Sequence, residues 1–260
     1  MDNSLIYQIK QQAHKAYNYF DYRLKLLNPL FNQQIDKLHS FKNKHLGERC
    51  FIIGNGPSLN HTDLSRLRNE YTFGVNRIYL LFPKLGFTTS YYVSVNHLVL
   101  TQFVEEIAEQ IPVAKFTSWE NFIITKDIPD TFYFYRHNSA GFHKDITKGL
   151  WGGATVTYVT MQIAYYMGFK KVILIGVDHS FATQGKAHAK VTTQDSDPNH
   201  FDPSYFGKGI TWQLPDLSTS ELAYQLARNS YEEAGREIVD ATIGGKLQVF
   251  KKINYDDLWH

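Results

Sequence analysis

The sequence predicts a single doubly wound α/β domain of the Rossmann-like kind, with a mostly parallel sheet and an N-terminal helical extension. Short apolar runs end in glycine or asparagine turns, as at Phe51-Ile52-Ile53-Gly54-Asn55-Gly56-Pro57-Ser58 and Lys171-Val172-Ile173-Leu174-Ile175-Gly176. Such runs, apolar on both faces, are the signature of buried parallel strands. Segments of helical period lie between them. The 260 residues also suffice for one large domain with a sizeable core plus a short appendage.

Charge and composition narrow the class. Lys and Arg number 27 against 25 Asp and Glu, a net charge of +2, so the chain lacks the basic field of a dedicated nucleic-acid binder. Its single cysteine, Cys50, forms no internal disulfide and sits beside the first strand as a packing residue. With no span-length apolar run and no signal-peptide core, the expected location is cytoplasmic, the inner face of the membrane included. The 17 Tyr and 18 Phe suit a carbohydrate-handling surface, but an aromatic core is the commoner cause.

The extension comprises residues 1–47. From Leu5 to Lys44 there are no glycines, and Ile6, Ile9, Ala13, Tyr17, Phe20, Leu24 and Leu27 recur at roughly helical spacing, which predicts one or two helices broken near Pro29. Packing on the main domain is the simplest use of such helices; contact with a membrane surface or a second copy of the chain is the other. Residues 48–260 form the core domain. After the glycine turn, Leu59 to Leu67 reads as a short helix with Asn60 or Thr62 as cap. Strands follow at Tyr71 to Asn76 and Thr89 to Asn96. Three successive strands thus deliver Asn55, Asn76 and Asn96 to one carboxyl edge of the sheet, where open α/β folds bind ligands; asparagine's tolerance of turns is the competing explanation.

Further on, Leu98 to Gln110 reads as a helix, Val113 to Thr117 and Phe132 to Tyr135 as strands, and Val156 to Met167 as a helix entered through Gly152-Gly153-Ala154-Thr155. Lys171 to Gly176 is a strand leading to Asp178 and His179. Ala182 to Trp212, with His188, Asp195, Asp197, His200, Tyr205 and Lys208, has the length and polarity of a lid or active-site loop. Ser218 to Ala234 reads as a helix capped by Ser218 or Thr219, Ile238 to Thr242 as a last strand, and Val249, Phe250 and Leu258 as docking residues of a tail that runs to His260.

Glycines let backbone N–H groups approach an anion, so Gly54-Asn55-Gly56-Pro57-Ser58 is a candidate phosphate turn, with Asn55 and Ser58 as hydrogen-bonding groups. It lacks the third glycine of the dinucleotide fingerprint, which disfavours a dehydrogenase.

The turn, the strand-end Asn76 and Asn96, and the block Met167-Gly168-Phe169-Lys170-Lys171-Val172-Ile173-Leu174-Ile175-Gly176-Val177-Asp178 resemble, over about residues 49 to 245, the DUF115 family named after a 6-hydroxymethylpterin diphosphokinase. They are similar in motif order to bacterial family 42 sialyltransferases, a GT-A variant fold. The resemblance implies a glycosyltransferase using a CMP-sugar donor and a glycan or glycolipid acceptor. It implies donor-nucleotide binding by Gly54, Asn55, Gly56, Pro57, Ser58, Asn76, Asn96, Gly152, Gly153, Thr155 and Asp178, and a loop histidine as base. His200 takes that part, with His179 and His188 as competitors, and Tyr205 stabilises the leaving phosphate without a metal or other cofactor. The loop Asp197-Pro198-Asn199-His200-Phe201 departs from the sialyltransferase pattern around the base. Two alternatives stand beside this reading. One is a diphosphokinase using ATP and Mg²⁺ held by Asp178, Asp195 and Asp197. The other is a nucleotide-sugar-binding protein without turnover.

Overall fold

A computed structural model describes residues 3–183 and 185–259, with side chains described from Gln12 onward. Ile6 and Ile9 of the predicted helical face, and His260 of the tail, lie outside the described side chains or residues. The chain begins with α1 (Asn3–Lys25) and α2 (Pro29–Leu38), broken at Pro29 as the sequence predicts. Proline sits where its missing N–H costs nothing, and Asn28 caps it by accepting from the N–H groups of Leu30 and Phe31.

The strands in chain order are β1 (Arg49–Ile53), β2 (Tyr71–Val75), β3 (Tyr91–Val93), β4 (Lys115–Ser118), β5 (Thr131–Phe134), β6 (Arg136–His137), β7 (Leu150–Trp151), β8 (Lys171–Ile175), β9 (Lys190–Thr192), β10 (Thr211–Gln213), β11 (Glu237–Asp240) and β12 (Lys251–Lys252). The remaining α-helices are α3 (Phe82–Leu85), α4 (His97–Gln110), α5 (Phe122–Thr125), α6 (Val156–Tyr166) and α7 (Leu217–Glu233). Eight strands form one sheet in the order β12-β11-β8-β1-β2-β3-β4-β5, and every pairing in it is parallel. From β1 the chain winds outward through β2, β3, β4 and β5. It then returns to place β8 on the other side of β1, so the winding reverses between β1 and β8. In open α/β sheets that reversal opens the ligand crevice.

Apolar side chains cover both faces. Phe31, Ile35, Leu38 and Phe41 from the helical extension join the core on one face, with Tyr158, Ile163 and Tyr231 of α6 and α7; Leu59, Val99, Ile107 and Tyr205 belong to the other. The packing reading of the extension thus holds for α2. On α1, Asn18 and Tyr22 face the body, while Tyr17, Phe20 and Leu24 are exposed, as is Leu27 in the turn that follows.

The structure corrects several sequence expectations. The segment after the glycine turn is two 3-10 turns, Pro57–His61 and Leu64–Leu67, instead of a helix, because Asp63 accepts from Ser65 N and restarts the chain in between. Asn60 does not cap; its Nδ2 donates to Phe201 O at 2.8 Å. The cap of α7 is Asp216, whose side chain accepts from Thr219 N, in place of the Ser218 or Thr219 expected. The long loop carries a two-stranded antiparallel ribbon, β9 with β10. Lys251–Lys252, in the predicted tail, forms the edge strand β12. No helix among the described residues is long and apolar enough to cross a membrane.

Candidate functional site

A cavity of about 720 Å³ opens over the carboxyl ends of the strands, at the reversal between β1 and β8. Its walls include Gly54, Asn55, Gly56, Asn76, Asn96, Gly152, Thr155, Asp178, His179, His188, His200 and Tyr205. Of the residues singled out in the sequence, Pro57, Ser58 and Gly153 lie beside the wall and do not line it.

The glycine turn is built differently from a phosphate cradle. Gly54 N donates to Ile175 O at 2.8 Å and Gly56 N to Gly176 O at 2.9 Å. Ser58 donates twice to Asp178, from its N–H to Oδ1 at 3.1 Å and from its hydroxyl to Oδ2 at 2.7 Å. The donors expected to face an anion are therefore spent clasping β1 to β8. The glycines are required because the backbone of Gly176 and the Asp178 carboxylate occupy the space a Cβ would fill. Burial pushes the Asp178 carboxyl above its ordinary value, against the opposing pull of the Ser58 hydrogen bonds.

The three strand-end asparagines also hold the frame. Asn55 Nδ2 donates to Val75 O at 3.0 Å, joining the ends of β1 and β2. Asn76 adopts a left-handed φ of 50° and accepts from Ser94 Oγ at 3.1 Å. Asn96 caps α4, accepting from the N–H groups of Leu98 and Val99. Turn tolerance and capping explain why asparagine ends each strand, and all three still reach the cavity wall. Asn55 Oδ1 is buried with no hydrogen-bond partner among the described residues.

The opposite wall is the N-terminus of α6, from Ala154 to Thr157. Thr155 caps it by accepting from Thr157 N at 3.3 Å. Gly153 has a packing role, since a Cβ there would meet Tyr158 and Ala223. The first N–H groups of an 11-residue helix and its dipole give this wall partial positive charge.

The loop after β8 brings in the titratable groups. Asn55 O accepts from Phe201 N at 2.9 Å, which seats the loop on the glycine turn. His200 is stacked on Tyr205, ring centroids 3.9 Å apart, with Phe206 and Trp212 against its edge. Its Nδ1 lies 2.6 Å from Asp197 Oδ2; the two side chains are 13% and 2% exposed. The Tyr205 hydroxyl is buried and accepts from Arg77 N at 3.3 Å, a structural contact in place of the phosphate role expected of it. His179 pairs with Glu221 at 3.0 Å and His188 with Asp216 at 3.3 Å; Glu221 is 58% and His188 61% exposed, so water screens both pairs.

The sequence reading missed Arg77, buried under this loop, which donates to Ser204 O at 3.0 Å and to Tyr205 O and pairs with Glu106. It also missed Arg136, which lines the cavity and pairs with Glu120 at 2.8 Å. An arginine after a strand end, as in Asn76-Arg77, was the available signal for the first. The carboxylates considered for Mg²⁺ are not gathered: Asp178 faces Ser58, Asp197 is enclosed in the loop, and Asp195 is exposed away from the cavity wall. Among the described residues no group of three or more His, Cys, Asp or Glu side chains is arranged to hold a metal, so Asp178, Asp195 and Asp197 do not share one site.

Among solved structures, the chain is similar to the MAf glycosyltransferase from Magnetospirillum magneticum AMB-1, with a TM-score of 0.53 at 14% identity. The match covers 82% of this chain and 34% of that one, so this chain spans about a third of its length, and the likeness is one of fold. No protein of curated function matches the sequence. The family model for 6-hydroxymethylpterin diphosphokinase MptE-like proteins matches residues 23–184, more than half of the chain, and the chain therefore belongs to the MptE-like family.

Proposed function

We propose that this chain is a glycosyltransferase that moves an acidic sugar, sialic-acid-like or Kdo-like, from a CMP-activated donor to a hydroxyl of a surface glycan or glycolipid, with inversion. The observation that carries the reading is His200: an imidazole held by Asp197 in the wall of a ligand-sized cavity, across the sheet edge from the α6 N-terminus. In the reaction the acceptor oxygen forms a bond to the anomeric carbon as the bond from that carbon to the donor phosphate oxygen breaks. CMP leaves with the electron pair, and the acceptor proton passes to His200 Nε2. The α6 N-terminus takes the departing phosphate, where N–H donors and the helix dipole oppose its growing charge. Asn55, Asn76 and Asn96 offer amide groups to the nucleoside, and the loop carrying His200 covers the site and excludes water.

The likeness in fold to a glycosyltransferase supports this reading, and Asp178, Asp195 and Asp197, on which the diphosphokinase alternative relies, stand apart: Asp178 faces Ser58, Asp197 is enclosed in the loop and Asp195 is exposed. Calorimetry with CMP, CDP, UDP, GDP, ATP and ADP, each with Mg²⁺ and with EDTA, tests it. Tight binding of CMP in EDTA supports the reading, as does a His200→Ala variant that keeps CMP affinity within a few-fold while losing turnover by about 10²- to 10⁴-fold. Binding of ATP alone, and only with Mg²⁺, overturns it in favour of the diphosphokinase. CMP binding by a chain that turns over no CMP-sugar makes it a binding protein.

A further inference from the structure

Asp197 occupies an unusual position for a residue of a surface loop. Its side chain is 2% exposed and receives three donors: Asn199 N on Oδ1 at 2.8 Å, and Phe206 N at 3.0 Å and His200 Nδ1 at 2.6 Å on Oδ2. Two of these donors knit the loop, and they explain a hydrogen-bonding residue here. The third fixes an imidazole whose other nitrogen is left for the cavity. None of the other three histidines in the wall has such a partner: His97 meets the neutral Asn121 amide at 3.2 Å, the Glu221 carboxylate that meets His179 is mostly exposed, and His188 is itself 61% exposed.

We propose that Asp197 is the positioning residue of this site, acting through His200. Resting on the glycosyltransferase reading, the proposal deepens its proton transfer. The carboxylate accepts Nδ1–H and so holds His200 in the tautomer whose Nε2 carries the lone pair. When Nε2 takes the acceptor proton, the carboxylate balances the charge of the imidazolium, and the Nδ1 proton stays with the ring. The stacked Tyr205 ring and the edges of Phe206 and Trp212 restrict the ring plane, so the hydrogen bond selects one direction for Nε2. A carboxylate is suited to this place because three N–H groups converge on it. Asparagine would set an NH₂ donor against one of them.

The full chain carrying Asp197→Ala, and separately Asp197→Asn, tests this with three readouts. Long-range ¹⁵N–¹H spectra of the His200 ring give the tautomer, calorimetry gives CMP affinity, and steady-state kinetics with a CMP-sugar give kcat and KM. In Asp197→Ala the ring is expected to lose its Nδ1–H preference, kcat to fall at least about 100-fold with KM nearly unchanged, and CMP affinity to stay within about threefold. In a His200→Ala background the same substitution should cost no further turnover, because the group it acts through is gone. An unchanged tautomer in Asp197→Ala overturns the proposal, as does an equal loss of turnover in the His200→Ala background, which would make Asp197 a loop-folding residue only. If the alanine variant does not fold, Asp197→Asn, which keeps the volume, carries the kinetic cycle. Should the wild-type chain turn over no CMP-sugar, the functional reading falls while the ring-nitrogen spectra still decide whether Asp197 sets the tautomer.

Discussion

Gly54 and Gly56 illustrate how one residue type serves either a ligand or the frame. Read from the sequence they mark a phosphate turn; in the structure their N–H groups bind the β8 end and their missing Cβ atoms make room for Gly176 and Asp178. The clash at Gly54 is with backbone, which cannot step aside, so Gly54→Ala should destabilise the fold by roughly 2–3 kcal/mol in urea denaturation, whatever ligand is bound. A second prediction concerns His143. Its ring is stacked on His137, centroids 4.4 Å apart, and Nε2 is buried without a hydrogen-bond partner among the described residues. Burial, with the neighbouring His137 adding to it, pushes the His143 pKa down to about 4. Because the folded value lies below the unfolded one, the unfolded chain binds the proton first as pH falls. His143 therefore contributes stability that is present above about pH 6.5 and is lost towards pH 4. Urea midpoints should fall over that window in the wild-type chain and fall less in His143→Leu; parallel curves would contradict this assignment.

At the scale of elements, the site depends on a loop that is long, polar and yet pinned. Arg77 holds it: the guanidinium bonds Ser204 O, Tyr205 O and Glu106 and lies over the Phe103 ring at 3.8 Å. Arg77→Met keeps much of the packing and removes every one of those donors. Limited proteolysis should then cut within residues 197–206 at least about tenfold faster, and turnover should fall while α6 and the sheet stay folded. The α6 end is testable separately. Thr155→Ala removes the cap and should cost about 1 kcal/mol of stability. Under the proposed function it should also weaken CMP more than the unphosphorylated nucleoside.

Much at this scale was legible in advance. The sequence placed the β1, β2 and β8 strands within one or two residues, along with α4, α6 and the break at Pro29, because continuous apolar runs and helical period are strong local signals. The 3-10 turns after Gly56 were not legible, since one Asp63 side chain decides them. Nor was Arg77's role, which exists only when residue 77 and the loop some 127 positions later meet. The cavity wall could be anticipated for Asn55, Asn76 and Asn96 from strand order; the Ser58 partner of Asp178 lies 120 positions away and no spacing reveals it, whereas Asp197 stands three residues before His200 and was within reach of the sequence.

For the molecule as a whole, the boundary drawn at residue 47 can be put to the test by truncation, because α1 and α2 stand in different relations to the core. Four large side chains between Phe31 and Phe41 (Phe31, Ile35, Leu38 and Phe41) are at most 4% exposed and belong to the same cluster as β1, β2 and α6. Burying each contributes about 1.5–3 kcal/mol, so together they supply roughly 6–12 kcal/mol, as much as the net stability of an ordinary domain. α1 is attached mostly by polar contacts instead, Asn18 with Ser139 and Asn138, Tyr22 with Thr147 O, and Asp21 with Tyr135, and much of its apolar side is exposed. A 48–260 fragment should therefore lack a cooperative unfolding transition and expose the sheet face that α2 covers. A 28–260 fragment, which retains the Asn28 cap and all of α2, should unfold cooperatively within a few kcal/mol of the full chain. Calorimetric unfolding of the two fragments decides it: a cooperative transition in the shorter one would show that α2 is an appendage, and its absence makes α2 part of the domain's core.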